Sequence, residues 1–121
     1  MVVDDDPNIR LLLVDILEAA GFVAVGLGSA QAALKLLGTC APTLVITDLS
    51  MPDRDGFWLV NEIRSSGWSF PVVALTAKAV SREMIVAAGF DVLVHKPFSV
   101  KEILNLVRLL TGPAFQEPTQ S

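Results

Sequence analysis

The stretch LVITDLSMPDRDG, residues 44–56, contains the transition that decides the fold. Its first four residues, 44–47, are apolar or β-branched and form a short run that is typical of a buried strand. Asp48 follows at once, and a turn rich in Pro, Asp and Gly separates it from an amphipathic segment that begins near Phe57. The pattern predicts a buried strand, a loop that starts at Asp48, and then a helix.

The same alternation extends along the rest of the chain. Four further apolar runs are short and bounded by turn residues: Met1–Val3, Val23–Leu27, Val72–Leu75 and Val92–Val94. Five segments have helical spacing between capping signals: Pro7 to Gly21, Ala30–Leu37, Phe57–Ser65, Ser81 to Gly89 and Ser99 to Gly112. This alternation predicts the α/β class. We expect a flavodoxin-like, doubly wound sheet of five parallel strands in the order 2-1-3-4-5, with five helices on two faces.

Composition limits the class of protein. The chain has 121 residues, of which 52 % are hydrophobic and 18 % are charged. That length and that balance suit one globular domain and exclude a disordered chain. We assign residues 1–112 to this domain, and residues 113–121, which are rich in Pro, Gln and Thr, to a linker-like or disordered tail.

Charge, cysteine content and hydropathy limit the location and the partners. The net charge of −4 argues against direct nucleic-acid binding, because an acidic surface repels the phosphate backbone. The single cysteine, Cys40, excludes an internal disulfide and suits a reducing compartment. No apolar run is long enough to cross a bilayer, and acidic residues from Asp4 onward argue against a signal peptide. We therefore expect a cytoplasmic protein or module without membrane contact.

Residues that could bind a metal ion or a phosphate, through a side chain or a backbone N–H, follow four of the five strands: Asp4 and Asp5, Asp48, Thr76 and Ala77, and Lys96. The carboxyl ends of neighbouring parallel strands lie about 4.8 Å apart and form the ligand site of an open α/β sheet. Three carboxylates so close would repel one another unless a cation neutralised them, and oxygen ligands without His or Cys favour Mg²⁺. Lys96 would supply a charge for a phosphate, and the Thr76 hydroxyl and the Ala77 N–H would donate hydrogen bonds to it.

Each of these residues has an ordinary structural explanation when it is taken alone. An acidic run often caps a helix, and we expect Asp6 to be the N-cap of the first helix. Strand-end Asp and Thr residues often only begin turns. All four strand ends carry groups that suit one metal and phosphate site, and this agreement favours a functional site over coincidence.

Four segments resemble the response regulator receiver family and occur in the family's order: VVDDDPN at 2–8, LVITDLSMPDRDG at 44–56, ALTA at 74–77 and HKPF at 95–98. The resemblance covers residues 1–110, nearly the whole chain. It implies a phosphoacceptor domain of a two-component phosphorelay, with Mg²⁺ as cofactor. It also implies a sensor histidine kinase or histidine phosphotransfer protein as donor, and self-catalysed phosphorylation and dephosphorylation rather than turnover of an external substrate.

The resemblance assigns the metal and phosphate chemistry residue by residue. Asp48 resembles the phosphoacceptor and is also a metal ligand in this assignment. Asp5 resembles a direct Mg²⁺ ligand, and Asp4 a direct or water-mediated one. Ser50 would add its backbone carbonyl to the metal, and Lys96 would contact the phosphate.

The resemblance also assigns a conformational switch. Thr76 would turn toward the phosphoryl group, and the Lys96–Pro97 peptide would be cis. Receivers usually carry an aromatic residue three positions before this Lys, where it moves together with the Thr. The present chain has Leu93 at that position, so its switch would consist of Thr76 and Leu93 without an aromatic ring.

Two other functions stay open on sequence grounds. One is a pseudo-receiver that only binds partners and is not phosphorylated. The other is a small phosphohydrolase with an Asp nucleophile, for which Asp53 and Asp55 would be the acid–base candidates.

Two helices have apolar residues beyond those that a core face requires. In the first helix, six apolar residues at helical spacing are predicted to face the core: Ile9, Leu12, Leu13, Ile16, Leu17 and Ala20. Leu11 and Val14 lie off this face, where they are either isolated exposed apolar residues, which are common, or a docking site for a helical phosphodonor. The last helix has seven apolar residues: Val100, Ile103, Leu104, Leu106, Val107, Leu109 and Leu110. This pattern is compatible with a homodimer or effector surface and equally with a deeply buried helix.

Overall fold

The computed structural model describes residues 1–112, so the tail predicted at 113–121 lies outside the described residues. Ten elements alternate along this part of the chain: β1 (Val2–Val3), α1 (Pro7–Ala19), β2 (Gly26–Leu27), α2 (Ala30–Leu37), β3 (Val45–Asp48), α3 (Gly56–Ser65), β4 (Val72–Thr76), α4 (Arg82–Ala88), β5 (Val92–His95) and α5 (Val100–Thr111). The strands form one parallel sheet in the order β2-β1-β3-β4-β5. The predicted α/β fold and strand order are confirmed.

The sheet is buried on both faces, as expected for an all-parallel sheet. One core layer lies under α2, α3 and α4; its main members are Val3, Val45, Val72, Ala74, Ala33, Leu37, Leu59, Val60, Ile63 and Ile85. The other lies under α1 and α5; its main members are Val2, Ile46, Val73, Leu75, Val94, Leu13, Ile16, Leu17, Ile103 and Val107. Successive residues of β4 face opposite layers, because side chains alternate along a strand.

Side-chain caps begin the helices where the sequence indicated. Asp6 Oδ1 accepts the Asn8 N–H at 2.9 Å and begins α1. Ser29, Ser81 and Ser99 each accept an N–H from the residue three positions later. No helix within residues 1–112 combines the length and the hydropathy that a bilayer crossing requires.

The second strand is shorter than predicted. Only Gly26–Leu27 pairs with β1, whereas the sequence indicated Val23–Leu27. The described β1 contains only Val2–Val3, and both residues already pair with β2, so the ladder does not extend back to Val23. The side chain of Val23 is 94 % exposed. The β-branched content of this segment indicated a strand, but its pairing depends on the partner strand.

The buried face of α1 is narrower than predicted. Its buried residues are Leu13, Ile16 and Leu17. Ile9 and Ala20, also predicted to face the core, are half-buried near the two ends of the helix. Leu12 was predicted to face the core as well, but it is 45 % exposed. It lies about 100° around the helix from Leu13, at the border of the apolar stripe.

The last helix leaves part of its apolar surface exposed. Ile103 and Val107 are buried, whereas Val100 and Leu109 are 52 % and 65 % exposed. The alternative of a deeply buried helix therefore does not hold for Val100 and Leu109.

One guanidinium group joins several segments at the amino edge, the edge formed by the first residues of the strands. Arg64 in α3 donates four hydrogen bonds of 2.9–3.1 Å, to the carbonyl oxygens of Trp68, Phe70 and Gly89 and to Asp91 Oδ2. Asp91 Oδ2 also accepts the Val72 N–H at 2.8 Å. The rings of Trp68 and Phe70 stack with their centres 6.0 Å apart. This set of bonds, the Arg64 clamp, ties the end of α3 to the starts of β4 and β5.

Candidate functional site

Three carboxylates meet at the carboxyl edge of the sheet, where the strands end. One oxygen from each of Asp4, Asp5 and Asp48 lies within 4.8 Å of the other two. Asp4 is fully buried and Asp48 is only 6 % exposed, whereas Asp5 faces solvent. These three side chains, the acidic cluster, therefore have two buried carboxylates beneath one that opens to water.

Backbone hydrogen bonds fix the first part of the acidic cluster. Asp4 Oδ1 accepts the Asp6 N–H at 2.9 Å, and Asp6 in turn caps α1. The Asp4 N–H donates to the Leu27 carbonyl oxygen at 3.1 Å, which ties Asp4 to β2. The acidic run thus has divided roles, because Asp6 begins a helix while Asp4 and Asp5 join the cluster.

Asp48 is held by its neighbours on both sides in the chain. The Ser50 N–H donates to Asp48 Oδ1 at 3.1 Å, and the Thr47 hydroxyl donates to the Asp48 carbonyl oxygen at 3.0 Å. Gly56 packs so closely that an added Cβ would lie 2.4 Å from the same carbonyl oxygen. Its N–H donates to the Leu49 carbonyl oxygen at 3.1 Å. Only glycine therefore closes this loop without moving the backbone of Asp48.

The rest of this loop leads into α3 and does not reach the acidic cluster. Asp55 Oδ1 accepts the Trp58 N–H at 2.9 Å and begins the helix. The Arg54 guanidinium lies over the Trp58 ring, 5.3 Å from its centre. Asp53 is exposed, with a left-handed φ of 65°. Neither Asp53 nor Asp55 belongs to the group of ligand atoms in the acidic cluster.

Lys96 places one ammonium group among the carboxylates. Its Nζ lies 3.1 Å from Asp4 Oδ2 and 3.3 Å from Asp48 Oδ2. The backbone N–H of Lys96 donates to the Thr76 carbonyl oxygen at 2.8 Å, and this bond joins the ends of β4 and β5. The Lys96–Pro97 peptide is cis, as the sequence resemblance implied.

The two residues of the predicted switch lie on adjacent strands. Thr76 is buried, and its hydroxyl oxygen accepts the Lys78 N–H at 3.0 Å. Because the hydroxyl is the acceptor in this bond, its own hydrogen remains available for donation. Ala77 is exposed beside it. Leu93 is half-buried and packs against the core layer under α2, α3 and α4.

The charges of the site are not balanced. Burial raises the pKa of the Asp4 carboxyl above its ordinary value of 3.8, and Asp48 raises it further. The Asp6 N–H and the Lys96 ammonium oppose this change without cancelling it. Burial lowers the pKa of Lys96, but its carboxylate partners outweigh burial, so its pKa lies above 10.5. The acidic cluster thus contains three carboxylates, and the Lys96 ammonium contacts two of them, Asp4 and Asp48.

The ligand atoms of the acidic cluster fit a hard divalent cation. All are carboxylate oxygens, without nitrogen or sulfur. The buried Asp4 and Asp48 would bind from the protein side, and the exposed Asp5 leaves room for retained water on the other. The raised pKa of Asp4 marks a negative charge that such a cation would stabilise.

Comparison with known proteins identifies the family. A family model described as the response regulator receiver domain matches residues 1–108. The chain belongs to this family. The receiver domain is 38 % identical to an uncharacterised 14.6 kDa protein of Leptolyngbya boryana, in an alignment that covers 89 % of this chain and 86 % of that protein. It is 32 % identical to the DNA-binding response regulator MtrA of Mycolicibacterium smegmatis, with 99 % of this chain and 53 % of MtrA covered.

Solved structures of other receiver domains share the fold. The receiver domain of the Francisella response regulator 1452 gives a TM-score of 0.85 at 28 % identity, and 93 % of this chain and 95 % of that chain are covered. The Vibrio cholerae chemotaxis protein CheY4 gives 0.83 at 26 % identity, with 90 % and 94 % covered. Because this chain spans about half the length of several curated relatives, such as the 53 % of MtrA, the activity of a whole regulator is a separate question.

One residue of the receiver site was missed in the sequence. Arg10 Nη1 donates to the Asp4 carbonyl oxygen at 2.8 Å. A cation near the start of a helix is unfavourable in the helix dipole, which was a signal that Arg10 has a tertiary partner. Gly26 and Gly28 were a second signal, since glycine in or beside a strand often marks the close approach of another group.

Proposed function

We propose that this receiver domain is a phosphorylation switch, in which Asp48 accepts a phosphoryl group from a phosphohistidine in a Mg²⁺-dependent reaction. One observation carries the proposal. Asp48 lies in a cluster with Asp4 and Asp5, all within 4.8 Å, and 3.3 Å from the Lys96 ammonium. A carboxylate nucleophile, a cation site and an ammonium group are the parts that phosphoryl transfer requires.

The transfer replaces a P–N bond by a P–O bond. A carboxylate oxygen of Asp48 attacks the phosphorus in line, the bond to the donor imidazole breaks, and the imidazole takes up a proton as it leaves. The product is an acyl phosphate on Asp48. Attack by water then restores the carboxylate and releases inorganic phosphate, so the domain catalyses its own phosphorylation and dephosphorylation.

In this proposal the acidic cluster binds the metal ion and Lys96 binds the phosphoryl oxygens. Asp4, Asp5 and Asp48 would hold Mg²⁺ together with the Ser50 backbone carbonyl, and the bound ion would offset the repulsion between phosphate and carboxylates. Lys96 bridges Asp4 and Asp48 in the present structure. On phosphorylation it turns its hydrogen bonds toward the phosphoryl oxygens.

Thr76 and Leu93 carry the change outward in this proposal. The available hydrogen of the Thr76 hydroxyl donates to the phosphoryl group, and the Ala77 N–H adds a second donor. Since Thr76 also accepts the Lys78 N–H, its movement alters the loop that leads to α4. Leu93 changes its side-chain conformation in the core layer under α2, α3 and α4. Its side chain is aliphatic, whereas receivers usually have an aromatic ring at this position.

The proposed donor is a sensor histidine kinase or a histidine phosphotransfer protein. On α1, Leu11 is 60 % exposed and available for docking, whereas Val14 is half-buried and offers less surface than the sequence suggested. On α5, Val100 and Leu109 form the exposed apolar positions of a proposed homodimer or effector surface.

We further propose a cytoplasmic location, which suits the exposed free thiol of Cys40, and no direct contact with nucleic acid, which suits the net charge of −4. In this proposal residues 1–112 are the receiver unit, and residues 113–121 are the linker-like or disordered tail expected from the sequence.

Intact-mass measurement after incubation with acetyl phosphate tests the proposal. We expect one phosphoryl adduct that requires Mg²⁺, resists acid and is lost in base. Asp48→Asn should abolish the adduct, and Asp5→Asn should strongly reduce it. Asp53→Asn is the matched control, because it removes an exposed acid of the same loop that lies outside the acidic cluster.

The alternative functions give different results in the same experiment. A parent protein that gains no adduct with Mg²⁺ present would reject the acceptor role and favour the pseudo-receiver. Catalytic turnover of a generic phosphate ester would favour the phosphohydrolase. Asp55 caps α3 and Asp53 lies outside the acidic cluster, and both facts argue against the second carboxylate that a hydrolase requires.

A further inference from the structure

The side chain of Arg10 lies along β2 and reaches the end of β1. It starts near the beginning of α1, and its Nη1 donates to the Asp4 carbonyl oxygen at 2.8 Å. Within residues 1–112 its guanidinium forms no ion pair, although three aspartates follow β1 directly. Its one recorded hydrogen-bond partner is instead a backbone carbonyl.

Two glycines make this path available. A Cβ added to Gly26 would lie 2.9 Å from Arg10 Cγ, and one added to Gly28 would lie 3.0 Å from Arg10 Nη1. Neither glycine has a positive φ, so the backbone at both positions is one that other residues adopt. A side chain at Gly26 would therefore crowd the stem of Arg10, and one at Gly28 would crowd its guanidinium.

The bond from Arg10 lies within the turn that forms the acidic cluster. Asp4 offers its carbonyl oxygen to Arg10, its Oδ1 to the Asp6 N–H and its Oδ2 to Lys96. The peptide that follows Asp4 leads directly to Asp5, the solvent-facing member of the cluster. An anchor on this carbonyl fixes the orientation of the peptide between Asp4 and Asp5.

We propose that Arg10 is a positioning residue: seated on Gly26 and Gly28, it holds the Asp4 carbonyl and orients Asp4 and Asp5 for a divalent cation. The inference rests on the proposed function, because the cation is the Mg²⁺ of that proposal. Outer partners of metal ligands commonly contribute to affinity without touching the metal.

Magnesium titration and amide exchange together test this role. Arg10→Met keeps the aliphatic stem but removes the donor, and we expect it to weaken Mg²⁺ binding by roughly 10-fold in calorimetric titration. In metal-free protein, exchange of the Asp6 amide, which bonds to Asp4 Oδ1, should become about 10-fold faster. Arg108→Met is the matched control, since Arg108 is an exposed arginine on α5 far along the chain from this turn, and it should change neither quantity.

Gly28→Ala displaces the guanidinium while Arg10 is still present. We expect it to weaken Mg²⁺ binding by a smaller factor than Arg10→Met, because the guanidinium can shift, and to have little further effect in the Arg10→Met background, because both changes disturb the same contact. This variant also keeps the test decisive if Arg10→Met folds poorly. Additive effects of Gly28→Ala and Arg10→Met would overturn the seat on glycine.

The failures of the two proposals can be told apart. If the parent binds Mg²⁺ and Arg10→Met binds it equally well with unchanged Asp6 exchange, the positioning role is rejected and the proposed function stands. If the parent does not bind Mg²⁺, the proposed function fails, and unchanged Asp6 exchange in Arg10→Met would reject the positioning role independently.

Discussion

The two edges of the sheet differ in how completely their charged groups are paired. At the amino edge, the Arg64 guanidinium meets one carboxylate, Asp91, and its remaining bonds go to backbone carbonyls. At the carboxyl edge three carboxylates lie together, the Lys96 ammonium contacts only Asp4 and Asp48 among them, and the pKa of Asp4 is raised. The fold thus has balanced polar contacts at the amino edge and an unbalanced negative charge at the carboxyl edge, where the proposed function would place a cation and a phosphate.

The largest expected effect comes from breaking the amino edge. Arg64→Met removes four hydrogen bonds that join α3 to the starts of β4 and β5. We expect the free energy of unfolding to fall by about 3 kcal/mol, because partly buried carbonyls and a carboxylate lose their donor. Urea denaturation measures the change.

The control for this variant is Arg54→Met. Arg54 is exposed and contacts only the face of Trp58 in the recorded interactions, so its loss should change the free energy of unfolding by about 0.5 kcal/mol or less. Equal losses in the two variants would contradict a special role for the Arg64 clamp.

Mg²⁺ should correct the imbalance at the carboxyl edge. At a concentration ten times its dissociation constant, a ligand that binds only the folded state raises the free energy of unfolding by about 1.4 kcal/mol. We expect this increase in the parent and also in Arg64→Met, since the clamp lies at the other edge. Asp5→Asn should lose it. An increase that disappears in Arg64→Met would mean that the two edges are not independent.

Removal of one buried carboxylate should stabilise the metal-free protein. Asp4→Asn keeps an oxygen for the Asp6 N–H while it removes a charge that burial disfavours. At pH 7 without Mg²⁺ we expect the free energy of unfolding to rise by roughly 1 kcal/mol, and Mg²⁺ should no longer add to it. Loss of stability in Asp4→Asn would show that Lys96 already compensates the cluster.

The pH dependence provides the smallest and most specific test. The folded pKa of Asp4 lies above 3.8, so the folded state takes up this proton more readily than the unfolded state. The contribution of Asp4 to stability therefore decreases as the pH rises from 3.8 through the folded pKa. We expect the metal-free parent to have a more negative slope than Asp4→Asn in that window, by a few tenths of a kcal/mol per pH unit. The largest slope that the titration of one proton can give is about 1.4 kcal/mol per pH unit. Identical slopes in thermal denaturation would argue against a raised pKa.

Much of the fold could be predicted because its signals are local. The caps at Asp6, Ser81 and Ser99 stand directly beside the helices that they begin. The convergence of Asp48 with Lys96 was also predictable, because the carboxyl ends of parallel strands meet at one edge. Roles such as that of the Ser50 carbonyl came only from the family resemblance and remain proposals.

What could not be predicted depends on contacts between distant residues. The pairing of Val23 depends on where β1 lies, and the exposure of Leu12 depends on how α1 packs on the sheet. Arg10 packs against Gly26 and Gly28, more than a dozen positions away, and Arg64 donates to backbone carbonyls, which every residue carries. A local pattern can indicate that such a residue has a distant partner, as it did for Arg10, but it does not identify the partner.

The two tryptophans stand at the two edges. Trp58 lies in the first turn of α3, directly after the loop that starts at Asp48, and Trp68 belongs to the Arg64 clamp. Replacing either indole with phenylalanine leaves a single emitter, so fluorescence would follow each end of the molecule separately. We expect acetyl phosphate to change the fluorescence of the variant that keeps only Trp58 and not that of the variant that keeps only Trp68. The first signal would then give the rate of the conformational change, and the second would serve as its reference in the same fold.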